Sequence, residues 1–295
     1  MDNSEIKKFK EAGVIAKQAV DYARGLIKPG VLLLEIAEKI EAKIIELGGK
    51  PAFPVNLSIN EIAAHYTPAF NDETMARGLL KVDIGVHKEG YVADTAFSID
   101  LENSAENKAL IEAAENALAA ALKTIARGAT ISQIGKAVDS EITKKGFQSV
   151  HNLSGHSIEV YNLHSGITIP NYDNSSPQEI EDGVYAIEPF STNGLGSVRD
   201  GRPSGIYKIE SDGNVRDSFA RGVATYIVEN YQTLPFCARW IYKKFGTRGL
   251  LALRQIEAAG ILHHYAQLVE SGKGKVAQAE HTVIISEKEK IVTTK

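Results

Sequence analysis

Apolar residues recur along the chain at two different periods. They are spaced three and four residues apart from Ile6 to Ala23 and from Leu33 to Leu47, and again from Leu110 to Ile125 and from Ile134 to Ile142. Because this spacing collects them on one face of a helix, it predicts two pairs of amphipathic helices. Between the two pairs, apolar and polar residues alternate from Leu80 to Ala96, which is typical of a β-hairpin.

The alternating stretch, LKVDIGVHKEGYVADTA, contains two aspartates among apolar residues. With Lys88 and Glu89 as the turn, Asp83 and Asp94 would face each other across the hairpin, their Cβ atoms about 5 Å apart. Two carboxylates in that position repel each other, and an unpaired charge against a core is costly. The pair therefore indicates a bound divalent cation, although Asp-Gly pairs are often solvated turn residues.

The helix pairs and the hairpin belong to an internal repeat. Seven positions from Gly30 to Gly48 have similar residues 98 positions later, from Gly128 to Gly146. The run from Gly78 to Asp83 is echoed 105 positions later from Gly183 to Glu188, which aligns the carboxylates that end the two runs. Two related halves would bring these carboxylates together near a pseudo-twofold axis, whereas chance similarity between amphipathic helices is the alternative explanation.

Two further segments have a different character. The run from Pro51 to Pro68 is rich in Pro, Asn and Ser and predicts irregular chain over a cleft. Between Glu188 and Glu280 the apolar spacing is mainly helical, which predicts a helical subdomain inserted between two strands. Within it we expect Arg199 to Gly205 to form a loop, and His263 and His264 to end a helix.

Composition narrows the class of protein. The chain has 295 residues, 43% of them hydrophobic, so it can form one large domain or two. Its net charge of −4 and the absence of a basic tail argue against nucleic acid as the main partner. No apolar run approaches the ~18 residues of a membrane span, and the single cysteine, Cys237, excludes an internal disulfide. We therefore expect a cytoplasmic protein without a membrane partner.

The candidate metal ligands are four carboxylates and one imidazole: Asp83, Asp94, His156, Glu188 and Glu280. This hard, oxygen-rich set suits Co, Mn, Fe(II) or a pair of Zn ions better than a structural zinc site. Four carboxylates carry more charge than one divalent ion balances, which indicates two divalent metal ions per chain. Such a pair lowers the pKa of a shared water toward neutrality, which is the chemistry of a hydrolase.

Five segments together resemble the methionine aminopeptidases of type 2. They occur in the family's order over nearly the whole chain: PAFPVNLSINEIAAHYTP, DIGVHKEGYVADTA, NLSGHSIEVYNLHSG, AIEPF and QAEHTVII. The resemblance implies an α/β (α+β) pita-bread aminopeptidase fold with an internal pseudo-twofold repeat. It also implies a catalytic domain of residues 1–195 and 265–295 and an inserted helical subdomain of residues 196–264. No lysine-rich N-terminal extension is present, so the chain is more similar to the short, archaeal-like form.

The same resemblance implies roles for the site residues. Asp83 and Asp94 would chelate the first ion, Asp94 and Glu280 would bridge the two, and His156 and Glu188 would complete the set. Glu188 would also act as general base, with the non-ligand histidines His65 and His164 beside the scissile peptide and His164 near the developing oxyanion. The methionine side chain would be bound by an apolar group that could equally be ordinary core: Phe53, Leu163, Phe190 and Tyr265.

The activity implied is hydrolytic removal of the initiator methionine from nascent proteins and peptides whose second residue is small. We expect a monomer that acts on these N-termini, with transient ribosome association compatible with this role. Two alternatives remain. One is an Xaa-Pro peptidase-like relative, and the other is a non-enzymatic RNA- or ribosome-binding scaffold of the same fold, which the presence of all five ligands disfavours.

Overall fold

The computed structural model describes residues 1–295, which form six helices and sixteen strands. The helices are α1 (Asn3–Leu26), α2 (Leu33–Glu46), α3 (Ala105–Thr124), α4 (Ile131–Lys144), α5 (Ser218–Tyr231) and α6 (Ala238–Ala258). The strands are β1 (Lys50–Pro51), β2 (Asn56–Ile59), β3 (Ile62–Ala64), β4 (Leu79–Lys88), β5 (Tyr91–Asp100), β6 (Gln148–Ser149), β7 (Ser154–Ile158), β8 (Thr168–Pro170), β9 (Gly183–Ile187), β10 (Phe190–Thr192), β11 (Val198–Ile209), β12 (Phe236–Cys237), β13 (Leu262–Glu270), β14 (Val276–Gln278), β15 (Glu280–Ile285) and β16 (Lys290–Val292). None of the helices combines the length and apolar character of a membrane span.

The four helices predicted from apolar spacing are confirmed. Asp2 caps α1 with Glu5 in a capping box, and Thr130 caps α4 with Gln133 in the same way. These caps satisfy backbone N–H groups that the first helical turn leaves without partners, so the polar residues before each apolar run define where the helix starts.

The centre of the molecule is a nine-stranded antiparallel sheet. Its strand order is β1-β4-β5-β15-β9-β7-β8, with β2 also paired to β4 and β16 to β15. The helices α1 and α2 bury their apolar faces against the half that contains β4 and β5, and α3 and α4 bury theirs against the half that contains β9 and β15. Each half is therefore a helix pair on a set of strands, as the internal repeat predicts.

The predicted register of the β4–β5 hairpin is wrong. Lys88 pairs with Tyr91, so the turn residues are Glu89 and Gly90, and Asp94 lies opposite Gly85 rather than opposite Asp83. Both turn residues have positive φ, 54° for Glu89 and 87° for Gly90. Two-residue hairpin turns favour this left-handed geometry with glycine second, which moves the turn by one residue and makes the two aspartates diagonal neighbours.

The region between Glu188 and Glu280 contains a second sheet as well as helices. Its order is β12-β11-β13-β3, and α5 and α6 pack their apolar residues against it. Arg199 to Gly205 lies in β11 rather than in a loop, and His263 and His264 lie in β13 rather than at the end of a helix. The Gly- and Pro-containing run remains a strand because its register shifts on either side of Pro203, which accommodates the missing N–H.

The run from Pro51 to Pro68 also differs from its prediction. It contains β2 and β3 and the end of β1, which pair with β4 and β13. These strands have two to four residues, too few to show an alternating pattern, and they form because distant strands supply their hydrogen-bond partners.

Candidate metal centre

A cavity of about 330 Å³ opens over one face of the central sheet. Its walls include all eleven residues that the sequence singled out for a site: Asp83, Asp94, His156, Glu188, Glu280, His65, His164, Phe53, Leu163, Phe190 and Tyr265. Residues separated by more than 200 positions in the sequence therefore meet at one place. Their individual roles stay predictions.

Strand pairing explains how the carboxylates come together. Ala96 of β5 lies opposite Asp83 of β4 on one side and opposite Glu280 of β15 on the other. Residues that pair directly across a sheet point to the same face, and Asp94, two positions from Ala96, shares that face. The small side chain of Ala96 leaves the space between these three carboxylates open.

The remaining two candidate ligands come from the other half of the sheet. His156 lies in β7 opposite Ala186, and Glu188 directly follows β9. The His156 Nε2 atom is 3.6 Å from Glu188 Oε1 and 3.8 Å from Asp94 Oδ2. Ligand atoms of Asp94, His156 and Glu280 all lie within 4.8 Å of one another, a spacing that can hold a metal ion.

The cluster is electrostatically unfavourable without a cation. Burial raises the pKa of Asp94 and of Glu280 well above the usual range, and repulsion from the neighbouring carboxylates raises it further. Three buried carboxylate oxygens of the cluster have no hydrogen-bond partner: Asp83 Oδ1, Asp94 Oδ1 and Glu280 Oε2. Orphaned carboxylate oxygens converging on one space are the donor set of a divalent ion, so these residues fit a metal.

The imidazole of His156 also fits this function. Burial lowers the pKa of His156 to about 4, so the ring is neutral near pH 7 and can offer a nitrogen lone pair to a metal. The His164 ring lies 4.4 Å from it, measured between ring centroids. Desolvation by the surrounding cavity walls also lowers the pKa of His164, although the residue itself is exposed to solvent in the cavity, and His164 is not among the residues spaced to hold the ion.

His65 occupies an unusual backbone conformation at the cavity wall. Its φ is +63°, in the left-handed region that non-glycine residues seldom adopt. Its Nδ1 lies 3.2 Å from the carbonyl oxygen of Ala266, and its ring centroid is 5.3 Å from that of Tyr265. Burial lowers the pKa of His65, so this ring too is neutral. Because its single N–H, on Nδ1, donates to the Ala266 carbonyl, its Nε2 atom can accept one hydrogen bond in the cavity.

An apolar wall faces the charged residues. Phe53 packs against the backbone of Gly85, where any side chain would collide with its ring. Two residues of this wall, Ile206 and Pro235, were not predicted from the sequence, and they belong to the region between Glu188 and Glu280. No pattern in the neighbouring sequence identifies them as site residues, because only the packing of that region against the central sheet brings them to the cavity.

Gln278 is a third residue near the site that was not predicted from the sequence. It is buried, and its Nε2 atom donates a hydrogen bond of 3.4 Å to Glu188 Oε2. Gln278 ends β14 and lies two positions before Glu280, and this two-residue spacing is the sequence feature that could have identified it.

Comparisons with known proteins agree with the chemistry of this cavity. Residues 7–287 match the model of metallopeptidase family M24. The methionine aminopeptidase of Pyrococcus abyssi is 48% identical over 98% of this chain and 99% of its own length.

Solved structures of similar shape include a methionine aminopeptidase from Thermotoga maritima, with a TM-score of 0.73 at 21% identity, covering 100% of this chain and 98% of that one. A thermophilic Arx1 reaches a TM-score of 0.85 at 14% identity, with 99% of this chain and 91% of that one covered. At sequence identities this low, structural similarity shows a shared fold alone. It confirms the predicted fold class.

Proposed function

Because the chain belongs to metallopeptidase family M24, we propose that the cavity is the active site of a methionine aminopeptidase. The enzyme removes the initiator methionine from nascent proteins and peptides whose second residue is small. The observation that carries this proposal is the convergence of five candidate ligands, with three orphaned carboxylate oxygens, at the base of an apolar cavity. An apolar cavity with a few convergent polar groups is the usual form of a small-ligand site.

The proposed metal centre contains two divalent ions. Asp83, Asp94, His156, Glu188 and Glu280 would hold them, with Co, Mn, Fe(II) and Zn all compatible with the donor set. When bound, such ions supply a water of lowered pKa as nucleophile and polarise the scissile carbonyl.

The chain's own residues supply the proton transfer and the positioning. Glu188 accepts a proton from the attacking water and passes it to the leaving amine, and Gln278 orients the Glu188 carboxylate through their hydrogen bond. His164, whose low pKa keeps the ring neutral, donates a hydrogen bond to the oxyanion. His65 binds the substrate backbone on the opposite wall.

The methionine side chain occupies the apolar wall. Phe53, Leu163 and Phe190 are buried there, and the Tyr265 ring closes the wall beside His65. A thioether side chain is flexible and polarisable and packs well against aromatic rings. The cavity volume of about 330 Å³ is sufficient for a methionine side chain.

We also propose a location, an oligomeric state and a transient partner for the enzyme. The protein acts in the cytoplasm as a monomer on the N-termini of nascent chains, and it associates transiently with ribosomes. Its catalytic domain comprises residues 1–195 and 265–295, and residues 196–264 form the inserted subdomain. Size-exclusion chromatography tests the monomeric state, and co-sedimentation with ribosomes tests the transient association.

The activity is tested by methionine release from a Met-Gly-type peptide. The enzyme is first stripped with a chelator and then supplied with Mn, Co, Fe(II) or Zn. We expect activity to return with metal, to fall about 100- to 10,000-fold in Glu188→Gln, and to vanish with the N-acetylated peptide. Glu181→Gln, which changes an exposed carboxylate just before the same strand, is the matched control and keeps activity.

The same assay separates the alternatives. Cleavage of an Xaa-Pro peptide without methionine release would assign the chain to another peptidase branch of the fold. Inactivity on both peptides with every metal would leave only the scaffold hypothesis.

A further inference from the structure

A buried ion pair joins the inserted region to the N-terminal half of the molecule. Arg239, in the first turn of α6, donates two hydrogen bonds to Glu41 of α2, at 2.7 and 2.8 Å. Trp240 Nε1 donates a third to the same carboxylate, at 2.9 Å. Arg239 is only 1% exposed. A buried pair of this kind contributes little net stability compared with apolar residues, so its presence calls for another explanation.

The pair extends hydrogen bonds into two segments that line the cavity. Arg239 Nε donates to the carbonyl of Pro68 at 2.9 Å, and Glu41 Oε1 accepts from the backbone N–H of Val55 at 3.3 Å. The Thr67 hydroxyl links the two segments by donating to the carbonyl of Val55 at 2.9 Å. The ion pair therefore holds the chain two residues after Phe53 and two to three residues after His65.

His65 needs such support because of its backbone. A residue with φ of +63° retains that conformation only when its surroundings fix it. The chain before His65 is held by the pairing of β3 with β13, and Tyr66 accepts a backbone hydrogen bond from Leu57 at 2.7 Å. Beyond Tyr66, the anchor on Pro68 comes from Arg239.

We propose that the Arg239–Glu41 ion pair is a positioning element that holds His65 and the Phe53 wall in their places in the cavity. Neither residue lines the cavity, so both act through the segments they bind. The inserted region thus contributes to the active site by fixing its geometry as well as through the wall residues Ile206 and Pro235. The activity test of this inference rests on the proposed methionine aminopeptidase function.

The first test is a double-variant cycle on methionine release. Arg239→Lys keeps the charge but not the forked geometry, and we expect it to lower kcat/KM for a Met-Gly peptide about 10- to 100-fold, since displacements near 1 Å have effects of this size. In a His65→Ala background the same change should cost clearly less than in the parent enzyme, because one of the two groups that the ion pair positions is already gone.

A matched control is available on the same two helices. Lys243 of α6 and Glu38 of α2 form an ion pair of 2.8 Å, with side chains 52% and 36% exposed, and it does not touch the cavity segments. Lys243→Met should leave kcat/KM within twofold of the parent enzyme. Two results would overturn the proposal. The first is a loss of kcat/KM in the Arg239→Lys/His65→Ala protein equal to the product of the two single losses. The second is a loss in Lys243→Met as large as that in Arg239→Lys.

The second test does not depend on activity. Hydrogen exchange of the Tyr66 and Thr67 amides, with the enzyme metal-loaded, should be at least about tenfold faster in Arg239→Lys and unchanged in Lys243→Met. Unchanged exchange in Arg239→Lys refutes the positioning role even if activity falls. If the parent enzyme releases no methionine, the proposed function fails, whereas the exchange result still decides the structural proposal. Glu41→Gln, of the same size, provides the same comparison should Arg239→Lys not fold.

Discussion

Replacing Gly85 by alanine tests the apolar wall of the cavity. Gly85 lies in β4, and a Cβ atom built there would be 2.2 Å from Phe53 Cε1 and 2.4 Å from Phe53 Cδ1. The backbone at Gly85 has no positive φ, so alanine is conformationally acceptable and the collision with the ring is the whole perturbation. Restoring an ordinary contact of 3.4 Å requires the ring to move by about 1.2 Å.

The expected effects follow from this displacement. Overpacking of a buried site typically costs about 1–3 kcal/mol, and we expect the free energy of unfolding to fall by that amount. Phe53 is only 6% exposed and can move mainly toward the cavity, where the methionine side chain binds. A shift of about 1 Å at a binding wall corresponds to a loss of about 100-fold in kcat/KM.

The assay combines urea denaturation with methionine release and metal analysis. Gly25→Ala is the control, because a Cβ at this position in α1 meets nothing within 4 Å and alanine should stabilise the helix by about 0.5–1 kcal/mol. Adding Phe53→Leu to Gly85→Ala should recover part of the lost stability, since the smaller side chain makes room. Parent-like stability and activity in Gly85→Ala would refute the packing of Phe53 described here.

Three further predictions concern charges and hydrogen bonds in and near the cavity. Asp94→Asn should make the metal-free protein more stable by up to about 4 kcal/mol, because it removes one of several mutually repelling carboxylates. The same substitution should abolish the thermal shift that Mn or Co produces in the parent protein. His164→Ala should lower kcat about 100- to 1,000-fold at unchanged metal content, and an equal effect on metal binding would contradict its assignment as a non-ligand. Burial lowers the pKa of His87 to about 4, so the stability contributed by its neutral ring is complete above pH 6.5 and is lost as the pH falls through 4, at a cost of about 3 kcal/mol. Urea denaturation between pH 7 and pH 4 should show a shallower slope in His87→Gln than in the parent, because the lowered pKa values of His156 and His164 leave a remaining slope in both proteins.

Local pattern was sufficient for much of the fold. The helices α1 to α4 are amphipathic, and α1, α3 and α4 also begin at side-chain caps, so apolar spacing and capping residues predicted them. The hairpin of β4 and β5 was predicted from alternation, but its register was not, because the turn type depends on which residues adopt positive φ. The strand β11 was missed because its Gly and Pro residues normally interrupt strands, and only pairing with β13 keeps them extended.

Some residues of the candidate site could likewise be predicted from the sequence, whereas others could not. Asp83 and Asp94 stood out because carboxylates are unusual inside an alternating apolar run, and Glu188 stood out because the repeat aligns it with Asp83. His65, His164 and the apolar wall came from resemblance to a family. Gln278 has no signal except its spacing from Glu280.

The sequence by itself determined the helix pairs, the two long hairpin strands and the identity of the residues able to bind metal. These properties depend on neighbours a few positions away, which a linear pattern records. The tertiary structure alone decided which carboxylates face one another, which imidazoles are buried and neutral, and that Arg239 reaches Glu41 across 198 positions. Those properties depend on desolvation and on contacts between distant segments, and no local pattern encodes either.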